Sequence, residues 1–248
     1  MIKIDFRYFS KVLDAPSEAI VLLPNDACSE EKPKPYKVLY LLHGFHGDNT
    51  SWLRNSLIEL YATEYNICVV MPDAKNSFYT DMKYGCNYYM AIAKELPKLI
   101  CNSFNVSDKR EDTFICGLSM GGYGALKIGL RECSRFAACA GLSSVADMKT
   151  RVNRHAEFNI MDLIFGEERI VPDEDNLFYL ADKMNDNADK PRIYLACGTG
   201  DALYPMNIKF KEKLESLDYD FTYREGEGIH NWYFWNEYIK YVLEWMFK

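Results

Sequence analysis

The 248-residue sequence predicts an α/β fold, a mostly parallel central sheet with helices on both faces. Three observations carry that expectation. Short continuous apolar runs such as Val38 to Leu42, Ile67 to Met71 and Arg192 to Cys197 have the length and character of strands buried on both faces. Stretches of helical period separate them, the alternation of a chain built from βαβ units. Where one of these strands gives way to a helix stands Gly117-Leu118-Ser119-Met120-Gly121, whose glycines suit a sharp turn with a serine at its corner.

Taken in order, residues 2 to 9 and 18 to 23 alternate or run apolar around a short break, as two antiparallel edge strands would. Pro24 to Pro35 is a loop. Val38 to Leu42 is a buried strand closed by His43-Gly44, Ser51 reads as an N-cap, 52 to 62 as a helix and 67 to 71 as the next strand, ended by Pro72-Asp73. Residues 75 to 86 form a polar and aromatic loop. In the helix that follows, Tyr89, Ile92, Leu96 and Leu99 recur at helical spacing, and Pro97 should kink or restart it. The strand 113 to 116 leads into the serine corner, small residues (Gly121, Gly122, Gly124, Ala125) open the next helix, and Phe136 to Gly141 is a further strand. Residues 145 to 190 break into short charged amphipathic pieces, longer than a crossover needs, and read as a candidate lid within a single domain spanning 1–248. Strand 192 to 197, a helix with Met206, Phe210, Leu214 and Leu217 on one face, strand 221 to 223 and a helix packing through Trp235, Ile239, Val242 and Met246 complete the chain.

Composition narrows the function classes. A net charge of -7 argues against a nucleic-acid partner, because phosphate binding needs clustered Lys and Arg. No stretch reaches the length of a membrane span, and the N-terminal residues carry charges too closely spaced for a signal peptide. The eight cysteines are scattered, several inside apolar runs, without a Cys-x-x-Cys. They read as reduced thiols, which points to the cytoplasm. A homo-oligomer is left open.

The chemistry gathers around Ser119. A serine hydroxyl is a weak nucleophile and needs a neighbouring base, which a third group must orient. Of the four histidines, His43 and His46 precede the serine, His155 falls in the candidate lid, and His230 lies in a glycine-bearing loop between the last strand and the last helix. His230 is the expected base. Asp201 directly follows a strand through Cys197-Gly198-Thr199-Gly200, at the sheet edge where functional loops collect, and is the expected orienter; Asp147, Asp173 and Asp175 compete less well. Acyl transfer also needs backbone N–H groups aimed at the developing oxyanion. The Met120 amide is one donor, and the turn His43-Gly44-Phe45-His46-Gly47 offers the Phe45 amide as the second, with His43 bracing that turn. A metal reading of His43 and His46 lacks a third ligand, so no metal or cofactor is expected.

These residues resemble an esterase of the α/β-hydrolase superfamily, in the branch that contains esterase D, tributyrin esterases and feruloyl esterases. The resemblance rests on Leu41-Leu42-His43-Gly44 with Trp52 downstream, Gly117-Leu118-Ser119-Met120-Gly121-Gly122, Gly198-Thr199-Gly200-Asp201 and His230-Asn231-Trp232-Tyr233-Phe234-Trp235. It implies an α/β-hydrolase fold with a small lid insertion, a nucleophile Ser119, an orienter Asp201, a base His230 and oxyanion donors Phe45 and Met120. His46 stands where the family has small residues. With Trp52, Tyr123 and Trp232 it is a candidate substrate contact. The expected activity is a serine carboxylesterase cleaving small acyl esters, acetyl to butyryl, through an acyl-enzyme. Alternatives are a feruloyl or cinnamoyl esterase, an S-formylglutathione hydrolase and, further off, an acyltransferase, a peptidase or a non-catalytic binding protein.

Overall fold

The structure, a computed structural model, describes residues 1–28, 34–153 and 160–248. His155 and parts of the 24–35 loop and of the 145–190 segment lie outside the described residues. An eight-stranded sheet organises the rest: β1 (Ile2–Ser10), β2 (Ala15–Leu23), β3 (Val38–Leu42), β4 (Cys68–Pro72), β5 (Thr113–Leu118), β6 (Ala138–Leu142), β7 (Arg192–Gly198) and β8 (Phe221–Gly226). Their spatial order is β1-β2-β4-β3-β5-β6-β7-β8. β1 and β2 pair antiparallel, β2 joins β4 antiparallel, and all other pairs are parallel.

Side chains alternate across the sheet, so each inner strand feeds two cores. Val38, Tyr40 and Leu42 of β3 point to one face and Leu39 and Leu41 to the other. The first face is covered by α3 (Leu96–Ser103), α4 (Met120–Arg131), α7 (Leu177–Met184) and α8 (Tyr204–Glu215). The second is covered by α1 (Ser51–Asn55), α2 (Ile58–Glu64) and α9 (Trp232–Phe247). Two short helices, α5 (Met148–Arg151) and α6 (Ile160–Phe165), complete the crossover between β6 and β7. That crossover is largely packed: Met161, Ile164, Phe165, Leu177 and Leu180 are buried in the first core.

Two departures from the expected elements have identifiable causes. The helix expected over 52 to 62 is split into α1 and α2, and Thr50, not Ser51, stands at its N-cap. Ser56 is extended at φ -144°, and the Leu57 N–H donates to Asn236 Oδ1 of α9 at 2.9 Å, a distant partner that no local pattern encodes. The helix before Pro97 is wound wide over Met90–Glu95 and restarts as α3 with Pro97 in its first turn. Proline has no N–H to continue the ladder, and the wider turn moves the buried stripe from Leu99 to Ile100.

The parallel register sets the strand ends in a row. Leu42 lies opposite Gly117, Gly117 opposite Gly141, Leu142 opposite Ala196, and Gly198 opposite Gly226. The loops carrying His43, Ser119, Val145, Asp201 and His230 therefore leave the sheet along one edge.

Candidate active site

Ser119 joins β5 to α4 at φ 54° and ψ -116°, a conformation that costs a non-glycine residue roughly 1–3 kcal/mol. The surroundings hold it there. Its N–H donates to the Leu142 carbonyl at 2.8 Å, and its own carbonyl accepts from the Tyr123 and Val145 amides at 3.1 and 3.2 Å. The corner closes only because its flanks lack side chains: a Cβ on Gly117 would collide with the Gly121 backbone, and one on Gly121 with the Leu42 and His43 carbonyls. This packing turns the hydroxyl away from the sheet and toward the loop after β8.

There His230 Nε2 lies 2.9 Å from Ser119 Oγ, and His230 Nδ1 lies 2.8 Å from Asp201 Oδ2. Asp201 is buried, and burial alone would raise its pKa. The hydrogen bonds from His230 and from the Leu203 N–H, the latter at 2.8 Å, outweigh it and hold the carboxyl below the ordinary 3.8. An ionised Asp201 accepts only, so the imidazole proton sits on Nδ1 and Nε2 is free to accept from the serine hydroxyl. Trp235 packs edge-on to the imidazole with centroids 4.9 Å apart, its indole N–H donating to Ser143 Oγ at 3.1 Å.

The turn after β3 faces the same hydroxyl. His43 Nε2 accepts from the Ala74 N–H at 3.0 Å, so its proton is on Nδ1, which donates to the Gly44 carbonyl at 2.8 Å. Burial pushes the His43 pKa below 6.5, and the neutral ring ties the turn to the end of β4, with Asp73 beyond hydrogen-bond range at 3.8 Å. Tyr79 Oη donates to the His43 carbonyl at 2.9 Å, and the His46 N–H donates to Asn76 Oδ1 at 2.8 Å. The Phe45 and Met120 amides have no acceptor among the described residues, and both residues line the depression that holds Ser119.

Not every candidate contact reaches this cleft. His46, exposed at φ 63° and tilted against Phe45, lines it, as does Trp232. Trp52 and Tyr123 do not. Trp52 is 1% exposed, donates its indole N–H to the Leu42 carbonyl at 3.0 Å and meets Trp232 edge-on; Tyr123 is wholly buried, with its hydroxyl on the Asp175 carbonyl at 2.7 Å. Each aromatic is buried in a core instead, Tyr123 on one face of the sheet and Trp52 on the other, because its polar tip finds a backbone carbonyl there. Two of the three rival acids are engaged elsewhere: Asp147 caps α5, accepting from the Thr150 N–H at 3.0 Å, and Asp175 is paired with the buried Lys127 at 2.8 Å. No cluster of metal-ligating side chains occurs among the described residues.

Two depressions meet at Ser119 and His230. One, of about 240 Å³, is mainly apolar and bounded by Phe45, Phe78, Val145 and Leu203, with Arg151 at its margin. The other, about 390 Å³, is more polar and runs past His46, Arg54 and Asn55 to Trp232. A depression of similar size beside the β1–β2 hairpin contains none of these groups, so chemistry, not size, locates the site. Phe78, Val145, Leu203, Arg54 and Asn55 went unnoticed in the sequence. They come from loops and a helix whose facing depends on tertiary packing, and only the excess length of 145–190 hinted at one of them.

With this geometry in view, comparison with known proteins is informative. The Esterase family model matches residues 10–245. An acetyl esterase of Caldicellulosiruptor saccharolyticus is 34% identical over 257 residues, covering 98% of this chain and 97% of the relative. FphF, a fluorophosphonate-binding serine hydrolase of Staphylococcus aureus solved with substrate bound, superposes with a TM-score of 0.94 at 32% identity, over 100% of this chain and 98% of the other. An S-formylglutathione hydrolase of Staphylococcus aureus superposes at 0.90 with 32% identity, over 100% and 99%.

Proposed function

The chain belongs to the esterase family and is a serine hydrolase of α/β-hydrolase fold, and from that premise we propose that it cleaves short acyl esters, acetyl to butyryl, through an acyl-enzyme on Ser119. The hydrogen-bonded chain Ser119, His230, Asp201 with the serine at a strained corner that lines both depressions carries this reading. In the proposed mechanism Ser119 Oγ attacks the ester carbonyl while His230 Nε2 takes its proton. Asp201 stabilises the imidazolium that results. The negative charge on the carbonyl oxygen is met by the Phe45 and Met120 amides, the latter at the N-terminus of α4, where the helix dipole adds to the field. His230 then passes its proton to the leaving alkoxide, and water repeats the sequence on the acyl-enzyme.

The apolar depression bounded by Phe45, Phe78, Val145 and Leu203 suits the acyl group, and the more open polar one suits the alcohol. A second reading, release of an aromatic acid, is favoured by the Phe45 and Phe78 rings, 5.7 Å apart on the acyl side. In this reading Val145 and Arg151 let the start of the 145–190 segment shape the acyl side within one domain. Cys68, Cys116, Cys139 and Cys197, each buried in a strand with its thiol pKa raised by burial, support a reducing, cytoplasmic setting. Among the described residues no helix is long and apolar enough to cross a membrane.

The test is covalent. A fluorophosphonate probe should add to Ser119, located by peptide mass, and p-nitrophenyl acetate hydrolysis should disappear with the same occupancy. A fully labelled protein that still turns over the ester would rule the mechanism out.

A further inference from the structure

The loop after β6 grips both ends of the hydrogen-bonded chain. The Leu142 carbonyl and the Val145 N–H bind the Ser119 backbone, and between them the Ser143 N–H donates to the Ala196 carbonyl of β7 at 2.7 Å. One residue on, the Ser144 carbonyl accepts from Asn207 Nδ2 at 2.9 Å. The same Nδ2 donates to the Leu203 carbonyl at 2.9 Å, which ties this loop to the one that carries Asp201. Ser143 itself is wholly buried at φ 48°, a conformation that glycine adopts freely and serine does not. The strain singles out its side chain, because the turn alone would be satisfied by glycine.

The direction of that hydroxyl is decided by its neighbours. Trp235 Nε1–H can only donate, and it donates to Ser143 Oγ at 3.1 Å. The serine oxygen is thereby the acceptor, and its own proton is left to give elsewhere. Two groups lie within its reach, the Asp201 carboxylate and the Cys197 thiol. Burial pushes the thiol pKa up to about 12, so the sulfur stays neutral and accepts weakly, whereas an ionised carboxylate is a strong acceptor. The proton therefore goes to Asp201. Hydrogen bonds of one sense result, from Trp235 to Ser143 and from Ser143 to Asp201, with His230 Nδ1 donating to Asp201 from the other side at 2.8 Å. Trp235 closes the ring, since its indole also stands edge-on to the His230 imidazole with centroids 4.9 Å apart.

The Leu203 N–H on Asp201 Oδ1 belongs to the same loop as the carboxylate and moves with it. That bond stabilises the charge but does not fix its place relative to the nucleophile. Ser143 belongs to the loop that also holds Ser119, so its hydroxyl ties the carboxylate to the frame of the nucleophile. We propose that Ser143 is a positioning residue, whose hydroxyl, aimed by the Trp235 indole, holds the Asp201 carboxylate in register with His230 and Ser119. This rests on the ester hydrolysis proposed above. Ser143 lines neither depression at Ser119, so it acts on rate and not on substrate choice.

The experiment measures p-nitrophenyl ester turnover in Ser143→Ala and Ser143→Gly, expressed per site that a fluorophosphonate labels exhaustively, so that unfolded protein is not counted. Ser143→Ala should lower kcat by about 10- to 100-fold, the scale of one hydrogen bond to a charged group, with KM and the butyryl to acetyl preference within about twofold. Ser143→Gly, which relaxes the backbone at φ 48°, should lose as much. In an Asp201→Asn background, adding Ser143→Ala should change kcat by less than about twofold, because no carboxylate is left to hold. A kcat in Ser143→Ala within twofold of the unaltered protein, the full loss repeated in the Asp201→Asn background, or failure of both variants to fold would overturn the positioning role and leave the esterase mechanism standing. An unaltered protein inert toward p-nitrophenyl acetate would overturn the mechanism itself.

Discussion

Ser119 is held in a backbone conformation that other residues avoid, and its hydroxyl shares a hydrogen bond with a histidine whose proton position is dictated by an ionised, buried aspartate. Replacing Ser119 by alanine should lower p-nitrophenyl acetate turnover by at least about 10⁴-fold with the circular dichroism spectrum unchanged, because residues that act as a unit lose nearly everything together. Asp201→Asn should cost about 10⁴-fold by admitting the wrong imidazole tautomer. Asp147→Asn, at the cap of α5, should stay within about twofold; the opposite ranking would move the orienter. The Asp201 carboxyl also has a signature in acid. Its folded pKa lies below the ordinary 3.8, so the ionised form stabilises the fold above that value and the contribution is lost as pH falls through the depressed pKa. Urea unfolding should therefore lose stability less steeply below about pH 4 in Asp201→Asn than in the unaltered protein.

At the scale of elements, the loop after β4 is the scaffold for the turn after β3, through Ala74, Asn76 and Tyr79. Three of its residues, Lys75, Phe78 and Tyr79, have φ near +50°, strain that must be offset by fixed contacts. Its anchor is Lys127 of α4, fully buried, with Nζ donating to Thr80 Oγ1 at 2.6 Å and to Asp175 Oδ1 at 2.8 Å. Burial pushes the Lys127 pKa down, but Asp175 supports the charged form. Lys127→Met would leave the buried Asp175 carboxylate with only the more exposed Arg131, 3.9 Å away, and should cost about 3 kcal/mol in denaturant unfolding; the double change Lys127→Met with Asp175→Leu should regain most of it, since the charge left over, Arg131, reaches solvent. A double variant as unstable as the single one would show that the pair's geometry, not its charge balance, holds the loop.

At the scale of the whole molecule, packing between distant segments shapes the apolar depression beside Ser119. Much of the 145–190 crossover is buried core, so excising it should unfold the protein, and the informative change is at its start, where Val145 meets the apolar depression. Val145→Phe should shift the ratio of butyryl to acetyl kcat/KM toward acetyl by about tenfold or more, the scale set by one or two methylenes in a tight pocket. An unchanged ratio would put the acyl group on the other side of Ser119.

What could be read in the sequence was whatever depends on short spans of chain. Apolar runs bounded by turns announced β3, β4, β5 and β7 because a strand buried on both faces needs unbroken apolar residues, and Gly117 to Gly121 announced the corner because only absent side chains let the backbone close there. The strand ends then located Ser119, Asp201 and His230 on one edge, since a parallel sheet delivers all its C-terminal loops to the same side. The tertiary structure alone decided what depends on partners far apart in the chain. The break between α1 and α2 is stabilised by Asn236, Trp52 and Tyr123 are buried in opposite cores because backbone carbonyls wait for their polar tips, and Asp175 is committed to Lys127. Facing and partnership arise from the packing of whole elements against each other, and no local pattern of residues carries that information.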